Sequence, residues 1–250
     1  MKLVKIMHAG KKVWAMIEGD AARFLDGAPF DGISPTDETV KLSDARLLAP
    51  CEPTKIVAIG KNYYDHVSEM NDGLPEDPII FIKPTTALND PDGEIVCPEI
   101  SARVDYEGEL ALVVKKKAYK VKKEDAADYI LGYTCLNDVT ARDLQKKDGQ
   151  WTRGKGFDTF APVGPLLTDE VNPEALSIET RLNGEVKQRS DTGKLMWKIP
   201  YLIEFITACM TLLPGDVVTT GTPAGIGPMR PGDTVEVEIE GIGILRNRIL

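Results

Sequence analysis

The segment Asp-Tyr-Glu-Gly-Glu at residues 105–109 runs directly into the apolar sequence Leu-Ala-Leu-Val-Val. In a β-strand, Asp105, Glu107 and Glu109 would share one face, because side chains alternate with period two. Ionised carboxylates are costly to bury side by side. A hard divalent cation such as Mg²⁺ or Mn²⁺ resolves that conflict, since it prefers carboxylate oxygens. The segment indicates either a metal site at the start of a buried strand or an exposed acidic edge, and alone it leaves both open.

The chain has two histidines, and one of them lies near an acid. His66, in the sequence Asn-Tyr-Tyr-Asp-His-Val-Ser-Glu, precedes Glu69 by three residues. On one helical turn the carboxylate can orient the imidazole and raise its basicity, as in a general base. The alternative is a surface histidine beside an acid. His8 lies in an N-terminal β segment, and we interpret it as structural.

A second polar segment follows the short apolar run Gly-Tyr-Thr-Cys-Leu. If Asp138 lies in a helix, Arg142 and Gln145 follow at i+4 and i+7 on the same face. An acid, a fixed cation and an amide that project together suit an anionic substrate bound to a metal. The alternative is an N-cap followed by an intrahelical Asp–Arg pair, which contributes only a few tenths of a kcal/mol.

Two loops contain further polar candidates. Lys155 is flanked by glycines and followed by aromatic and proline residues, which suits an ammonium held in a partly buried pocket near a developing oxyanion. Thr222 lies in Thr-Thr-Gly-Thr-Pro-Ala-Gly, where a hydroxyl and backbone amides could hold a carboxylate. Solvated loop charges and an ordinary Gly/Pro turn are the alternatives. Walker, GxGxxG, GxSxG and HExxH patterns do not occur, so nucleotide-binding, serine-hydrolase and zincin interpretations have no support.

Charge and composition exclude several classes of protein. The 250 residues include 30 Lys and Arg against 39 Asp and Glu, a net charge of −9. Nucleic-acid binding by phosphate neutralisation needs a clustered basic face, which is not apparent here. The four cysteines form no CxxC pair, which argues against a zinc ribbon. The N-terminus does not resemble a signal peptide, and no segment approaches the roughly 20 apolar residues of a membrane span. We expect a cytoplasmic protein with no nucleic-acid or membrane partner.

The order of the patterns predicts an α+β fold rich in sheet. We expect a small N-terminal β domain at residues 1–50 and a catalytic domain at 51–250, with a Pro- and Gly-rich loop near residues 27–40. The sequence predicts a helix near residues 122–133 and another that Pro200 opens and that ends before Pro214. It also predicts a hairpin that turns at Asn183-Gly184.

Seven segments occur together in one order: IGKNYYDHVSEM, PIIFIKP, DYEGELALVV, GYTCLNDVTARDLQ, WTRGKGFDTFAPVGP, LNGEVKQ and PGDVVTTGTPAGIG. In combination they resemble the fumarylacetoacetate hydrolase family over roughly residues 50–250. The first 50 residues are similar only in length and β character to the small N-terminal domain of many members.

The resemblance implies a mixed β-sandwich roll around a divalent metal, Mg²⁺ or Mn²⁺, and a homodimer. It allows a contribution from Lys83 but does not include it among the assigned residues, and it makes Asp105 a structural or supporting acid. It implies three metal ligands, three catalytic residues and three substrate-binding residues: Glu107, Glu109 and Asp138; His66, Glu69 and Lys155; and Arg142, Gln145 and Thr222, respectively.

The activity that the resemblance implies is hydrolysis of a carbon–carbon bond in small 2,4-dioxo acids of the acylpyruvate or fumarylpyruvate type, through a metal-bound pyruvate enolate. The same residues suit an alternative, decarboxylation or tautomerisation of oxaloacetate, or isomerisation or decarboxylation of a 2-oxo-hepta-ene-dioate. In every case the expected partner is a small 2-oxo acid. A non-catalytic ligand-binding relative is the rival from another class, and the presence of both His66 and Glu69 argues against it.

Overall fold

The computed structural model describes residues 1–69 and 73–250. Short strands make up most of the described chain, and helices are few and short. The described strands are β1 Lys2–His8, β2 Lys11–Glu18, β3 Ala21–Leu25, β4 Pro35–Lys41, β5 Arg46–Leu48, β6 Ile56–Gly60, β7 Ile79–Lys83, β8 Leu88–Asn89, β9 Glu94–Ile95, β10 Val104–Tyr106, β11 Gly108–Val114, β12 Ile130–Asn137, β13 Thr140–Ala141, β14 Ala161–Thr168, β15 Ser177–Leu182, β16 Glu185–Asp191, β17 Val217–Thr219, β18 Gly227–Met229, β19 Thr234–Ile239 and β20 Gly243–Ile249. The described α-helices are α1 Tyr64–Glu69, α2 Arg142–Asp148, α3 Thr152–Lys155 and α4 Ile199–Cys209, and the described 3₁₀ helices are Leu42–Asp44, Thr85–Ala87, Lys123–Tyr129 and Thr192–Lys194.

The described strands form three sheets. The largest has the order β4-β3-β2-β1-β14-β12-β11-β17-β6-β7, with β5 beside β1 and β8 beside β14. A second sheet has the order β16-β15-β19-β20-β9, and a third the order β13-β10-β18. Contacts of β11, β12 and β14 with β15, β19 and β20 pack the second sheet against the largest one. Strand β11 is buried throughout because both of its faces are covered, which explains its continuous apolar sequence.

The N-terminal strands belong to the same large sheet. Strand β1 pairs with β14, with Lys2 opposite Thr168 and Leu3 opposite Leu167. The loop expected near residues 27–40 is wrong at its C-terminal end, because Pro35–Lys41 is strand β4. Strand β4 is a mostly exposed edge strand, and an edge is where a sheet tolerates proline. The division into domains at residue 50 stays a prediction.

The local turn and helix signals have mixed outcomes. The hairpin of β15 and β16 is confirmed, since Asn183 and Gly184 have φ values of 53° and 79°, as a type I′ turn requires. The helix at Pro200 is confirmed as α4. The segment predicted as a helix at residues 122–133 is instead a 3₁₀ helix, Lys123–Tyr129, followed directly by β12. The last residues of the predicted segment, 130–133, pair with β11 as part of β12, and this sheet pairing overrides the local helical preference.

The acidic segment is not one continuous strand. Strand β10 ends at Tyr106 in the small sheet, and β11 begins at Gly108 in the large one. At the break, the Glu107 amide donates to Asn137 Oδ1 (2.9 Å) and the Glu107 carbonyl accepts from the Asp138 amide (2.8 Å). A Cβ atom on Gly108 would lie 2.1 Å from Thr180 Oγ1, so only glycine fits there. The three acids therefore do not share one strand face.

None of the helices within residues 1–69 and 73–250 has both the length and the apolar character needed to cross a membrane.

Candidate active site

Segments distant in sequence meet around a cavity of about 380 Å³. Strands β6, β7 and β11, the end of β12 and helices α1, α2 and α3 bring its lining together. The residues predicted as functional that line it are His66, Glu107, Glu109, Asp138, Arg142, Gln145, Lys155 and Thr222. Glu69 contacts His66 from outside this lining. The structure therefore brings together all of the residues that the resemblance selects.

Three carboxylates form a buried cluster in this cavity. Glu107, Glu109 and Asp138 each offer an oxygen, and these oxygens lie within 4.8 Å of one another. Burial raises the pKa of Glu109 well above its usual range, and the charges of Asp138 and Glu107 add to the effect. Glu109 accepts hydrogen bonds from the Thr219 hydroxyl and from the Gly221 amide (2.9 Å). In the described part of the chain, no lysine or arginine forms an ion pair with Glu109.

Two buried lysines compensate the charge of the other two acids. Lys155 Nζ donates to Glu107 Oε2 (2.8 Å) and to Asp138 Oδ2 (2.6 Å). Burial by itself lowers the pKa of Lys155, but the charges of Asp138 and Glu107 outweigh burial and raise the pKa, so the ammonium form persists. Lys83 Nζ donates to the other oxygen of Asp138, Oδ1 (2.5 Å), and to the Val139 carbonyl (3.1 Å). Lys83 is fully buried, and it is not among the residues assigned from the sequence.

The donor set fits a hard divalent cation. All three members of the cluster are carboxylates, the ligands that Mg²⁺ and Mn²⁺ prefer. Glu109 is buried next to two like charges and has only neutral hydrogen-bond donors in the described structure. A buried carboxylate in that setting is stabilised by a cation, because an unpaired buried charge is costly. Glu107, Glu109 and Asp138 are thus the residues that could hold the ion.

A histidine and a glutamate form the expected dyad on helix α1. His66 Nδ1 lies 3.3 Å from Glu69 Oε2, and Glu69 also accepts from the Gly225 amide (3.1 Å). Burial lowers the pKa of His66, and the nearby charges of Glu107 and Glu69 only partly oppose that shift. The imidazole is therefore neutral near pH 7. With Nδ1 directed at Glu69, Nε2 is the nitrogen left to accept a proton.

The predicted helical relation between Asp138 and Arg142 is wrong. Helix α2 begins at Arg142, and Asp138 lies before it, because residues 140–141 pair with β10 as strand β13. Arg142 and Gln145 do share one helix face, and Arg142 Nη1 donates to Gln145 Oε1 (2.7 Å). Two segments, the connection between β12 and β13 and helix α2, thus place these side chains together.

Thr222 lines the cavity with a hydroxyl that already has protein partners. Its Oγ1 donates to the Gly108 carbonyl (2.9 Å) and accepts from Gln188 Nε2 (2.8 Å). Because a hydroxyl has one hydrogen to donate, this side chain offers a ligand only its remaining lone pair. Its role in binding substrate stays a prediction.

An aromatic wall of the cavity was not found from the sequence. The rings of Phe81 and Trp151 meet edge to face with centroids 5.1 Å apart, and both line the cavity. Trp151 packs on the backbone of Gly60, where a Cβ atom would lie 2.3 Å from a ring carbon. The glycine in Ile-Gly-Lys-Asn-Tyr is the signal that could have indicated this close approach.

Comparison with known proteins shows which family the chain belongs to. A family model described as fumarylacetoacetate (FAA) hydrolase, C-terminal, matches residues 55–250. The chain belongs to the fumarylacetoacetate hydrolase family. A second model, described as Rv2993c-like, N-terminal, matches residues 1–50. The resemblance drawn from the sequence motifs is thereby confirmed, and the members of this family are enzymes.

Named relatives cover most of the chain. Oxaloacetate tautomerase YisK of Bacillus subtilis is 43% identical over 83% of this chain and 74% of its own length. The mitochondrial oxaloacetate tautomerase fahd2 of Xenopus laevis is 45% identical over 83% of this chain and 69% of its own length. The crystal structure of a Mycobacterium smegmatis protein named 5-carboxymethyl-2-hydroxymuconate delta-isomerase has a TM-score of 0.94 and 44% identity, and covers 100% of this chain and 99% of that one. Mixed sheets with few helices are thus the shared fold.

Proposed function

We propose that this enzyme interconverts the keto and enol forms of a small 2-oxo diacid such as oxaloacetate, with a divalent metal, Mg²⁺ or Mn²⁺. The observation that carries the proposal is that His66, paired with Glu69, lines the same cavity as the three carboxylates and Lys155. Keto–enol exchange needs one base, one cationic partner for the oxygen and a means of holding the substrate. The names of the tautomerase and isomerase relatives support this choice.

Glu107, Glu109 and Asp138 would hold the metal ion. When bound, such an ion acts as a Lewis acid that polarises a carbonyl oxygen. Lys83 would keep its hydrogen bond to Asp138 Oδ1, which leaves Oδ2 directed towards the cavity side occupied by Lys155.

The protein side chains then account for the proton transfers. His66 Nε2 accepts a proton from the carbon next to the 2-oxo group, and Glu69 stabilises the resulting imidazolium through Nδ1. The C–H electron pair becomes the carbon–carbon double bond, and the carbonyl pair moves onto the oxygen. Lys155 Nζ donates a hydrogen bond to that oxygen, and the proton that His66 Nε2 accepted then passes to the oxygen, which gives the enol and restores the neutral imidazole. Arg142 and Gln145 bind the substrate carboxylate, and the reverse sequence returns the keto form.

Hydrolysis of a 2,4-dioxo acid, the activity expected from the sequence resemblance, would use many of the same groups but would require His66 to activate a water molecule. The relatives' names favour tautomerisation or isomerisation over hydrolysis. A homodimer and a division into domains at residue 50 remain part of the proposal, and sedimentation of the purified chain would test the dimer.

The deciding experiment follows enol absorbance after oxaloacetate is added in its enol form, with Mg²⁺ or with EDTA. Metal-dependent loss of absorbance without pyruvate supports the tautomerase. Pyruvate and CO₂ would indicate a decarboxylase instead, and acetate and pyruvate from acetylpyruvate would indicate the hydrolase. No metal-dependent change in the oxaloacetate enol would refute the proposal for this substrate.

The two histidines offer a matched pair of variants for this assay. His66→Gln removes the base and should abolish the enzymatic rate. His8→Gln changes a histidine whose ring packs on Phe24 in the N-terminal strands (centroids 4.9 Å apart) and should leave the rate unchanged. Equal rates for the two variants would contradict the role of His66.

A further inference from the structure

We infer that Asp105 is a positioning residue that holds Arg142 in the cavity wall while Glu107 serves the carboxylate cluster. The inference rests on the proposed function, because it takes Arg142 as the group that binds a substrate carboxylate. Asp105 is fully buried and is not part of the cavity lining, so it acts through Arg142.

Arg142 has three side-chain partners, one for each of its nitrogens. Its Nε donates to Asp105 Oδ2 (2.9 Å), its Nη1 to Gln145 Oε1 (2.7 Å), and its Nη2 to Glu107 Oε1. A guanidinium carries five N–H groups, so one hydrogen on each of Nη1 and Nη2 stays available for a ligand. These contacts orient the planar fork at the edge of the cavity.

Of the three partners of Arg142, only Glu107 also belongs to the carboxylate cluster. Its carboxylate already accepts from Lys155 Nζ (2.8 Å) and from the Thr140 hydroxyl (3.1 Å), and it belongs to the cluster that fits a divalent cation. A cation held by that cluster would compete with Arg142 for Glu107. Asp105 is then the anionic partner that remains, and Gln145 supplies a neutral contact.

Asp105 is itself held in place by a second arginine. Arg103 donates to both of its oxygens, from Nε to Oδ1 (2.8 Å) and from Nη2 to Oδ2 (3.1 Å). The Arg142 amide also donates to the Arg103 carbonyl (2.8 Å), and Asp105 pairs with Thr140 between β10 and β13. The carboxylate thus sits on a strand pair that leads directly into helix α2. This rigid support is what a positioning residue requires.

The test measures oxalate binding by calorimetry on the full chain with Mg²⁺ present. Oxalate is a planar dicarboxylate that resembles a 2-oxo carboxylate and is not turned over by proton transfer. Asp105→Asn keeps the size of the side chain but removes its charge, and we expect oxalate affinity to fall about tenfold because a charge-assisted hydrogen bond is lost. Mg²⁺ affinity without oxalate should change much less than oxalate affinity, since Asp105 is not among the proposed ligands.

A matched control and a double variant separate positioning from general stability. Asp216 is equally buried and binds Lys55 Nζ (2.5 Å) away from the cavity, so Asp216→Asn should leave oxalate affinity unchanged. In an Arg142→Met background, Asp105→Asn should weaken oxalate binding by less than about twofold, because its route of action is gone. A full tenfold loss in that background would overturn the inference.

The variant Arg142→Lys tests the same contact without changing Asp105. Lysine retains the charge but has no Nε–H for Asp105, so oxalate affinity should again fall about tenfold. Wild-type affinity in this variant, or no binding of oxalate to the wild-type chain with Mg²⁺, would overturn the inference. If oxaloacetate is not tautomerised while the oxalate responses appear as expected, the proposed function fails and the role of Asp105 stands.

Discussion

Replacing Glu107 with glutamine should remove most of the stability that a divalent ion adds to this protein. A ligand that binds only the folded state at a hundred times its Kd stabilises by about 2.7 kcal/mol. For a chain of this size, that corresponds to a rise in Tm of roughly 5–11 °C. We take the loss of one of three carboxylate ligands to weaken Mg²⁺ binding about a hundredfold, which is the upper end of the effect of losing a residue that supports a metal ligand. The same Mg²⁺ concentration then stabilises the variant by only about 0.4 kcal/mol, which raises its Tm by about 1 °C.

The structure explains why the glutamine variant should still fold. Lys155 keeps Asp138 as a partner at 2.6 Å, and Arg142 keeps Asp105 at 2.9 Å. The charge of Glu107 also raises the pKa of Glu109, although burial and the charge of Asp138 contribute more. Replacing Glu107 with glutamine removes the repulsion between these two carboxylates. Each of the two cations therefore keeps an anionic partner. Loss of one partner of a buried ion pair is severely destabilising only when it leaves the other charge buried and unpaired.

The assay compares thermal unfolding in EDTA and in Mg²⁺ for the wild-type chain, Glu107→Gln and a control. Glu52→Gln is a suitable control, because Glu52 binds Lys5 (2.6 Å) and Trp14 (3.0 Å) outside the cavity. We expect a full metal-dependent increment for wild type and control, and almost none for Glu107→Gln. Equal increments in all three proteins would refute the assignment of Glu107 as a metal ligand.

Three further predictions address the base, the cation and the aromatic wall. Burial holds the pKa of His66 below its ordinary value of 6.5, so the base is lost only as pH falls through that lowered value. The acid limb of the pH profile of kcat/KM should therefore lie below pH 6.5. A limb above pH 6.5 would contradict the role of His66 as the base. Lys155→Met should lower kcat by about 10²–10³-fold while Mg²⁺ still raises the Tm; an unchanged kcat would exclude Lys155 as the oxyanion partner. Gly60→Ala should shift Trp151 and lower the free energy of unfolding by about 1–3 kcal/mol in a denaturant titration. Gly73→Ala is the control, because a Cβ atom at Gly73 would have no atom within 4 Å, and it should leave that free energy unchanged. Equal stabilities of the two variants would contradict the close packing of Trp151 on Gly60.

Local features of this protein could be predicted because their causes are local. Asn183-Gly184 adopts the left-handed turn that those two residues favour, and Pro200 opens a helix with its fixed φ. His66 and Glu69 meet because three residues along a helix bring side chains to one face. In each case the partners are neighbours in sequence, so the pattern alone defines the contact.

The motifs selected the cavity residues, but how they meet depends on the sheets. Glu107 and Asp138 are 31 residues apart in the sequence, and they meet because the chain leaves the small sheet at Glu107 while β12 ends at Asn137. The period-two rule placed Asp105 beside Glu107 and Glu109, but the break between β10 and β11 turned it towards Arg142 instead.

The sequence by itself determined the chemistry that is available: paired acids, a base with its orienting carboxylate, and a lysine between glycines. Only the tertiary structure decided which charges are buried together. Lys83 illustrates the difference, since a lysine at a strand end is usually solvated, and its burial depends on Asp138, 55 residues further along the chain. Burial changes the free energy of a charge according to every neighbour that surrounds it, and those neighbours exist only once the sheets have packed.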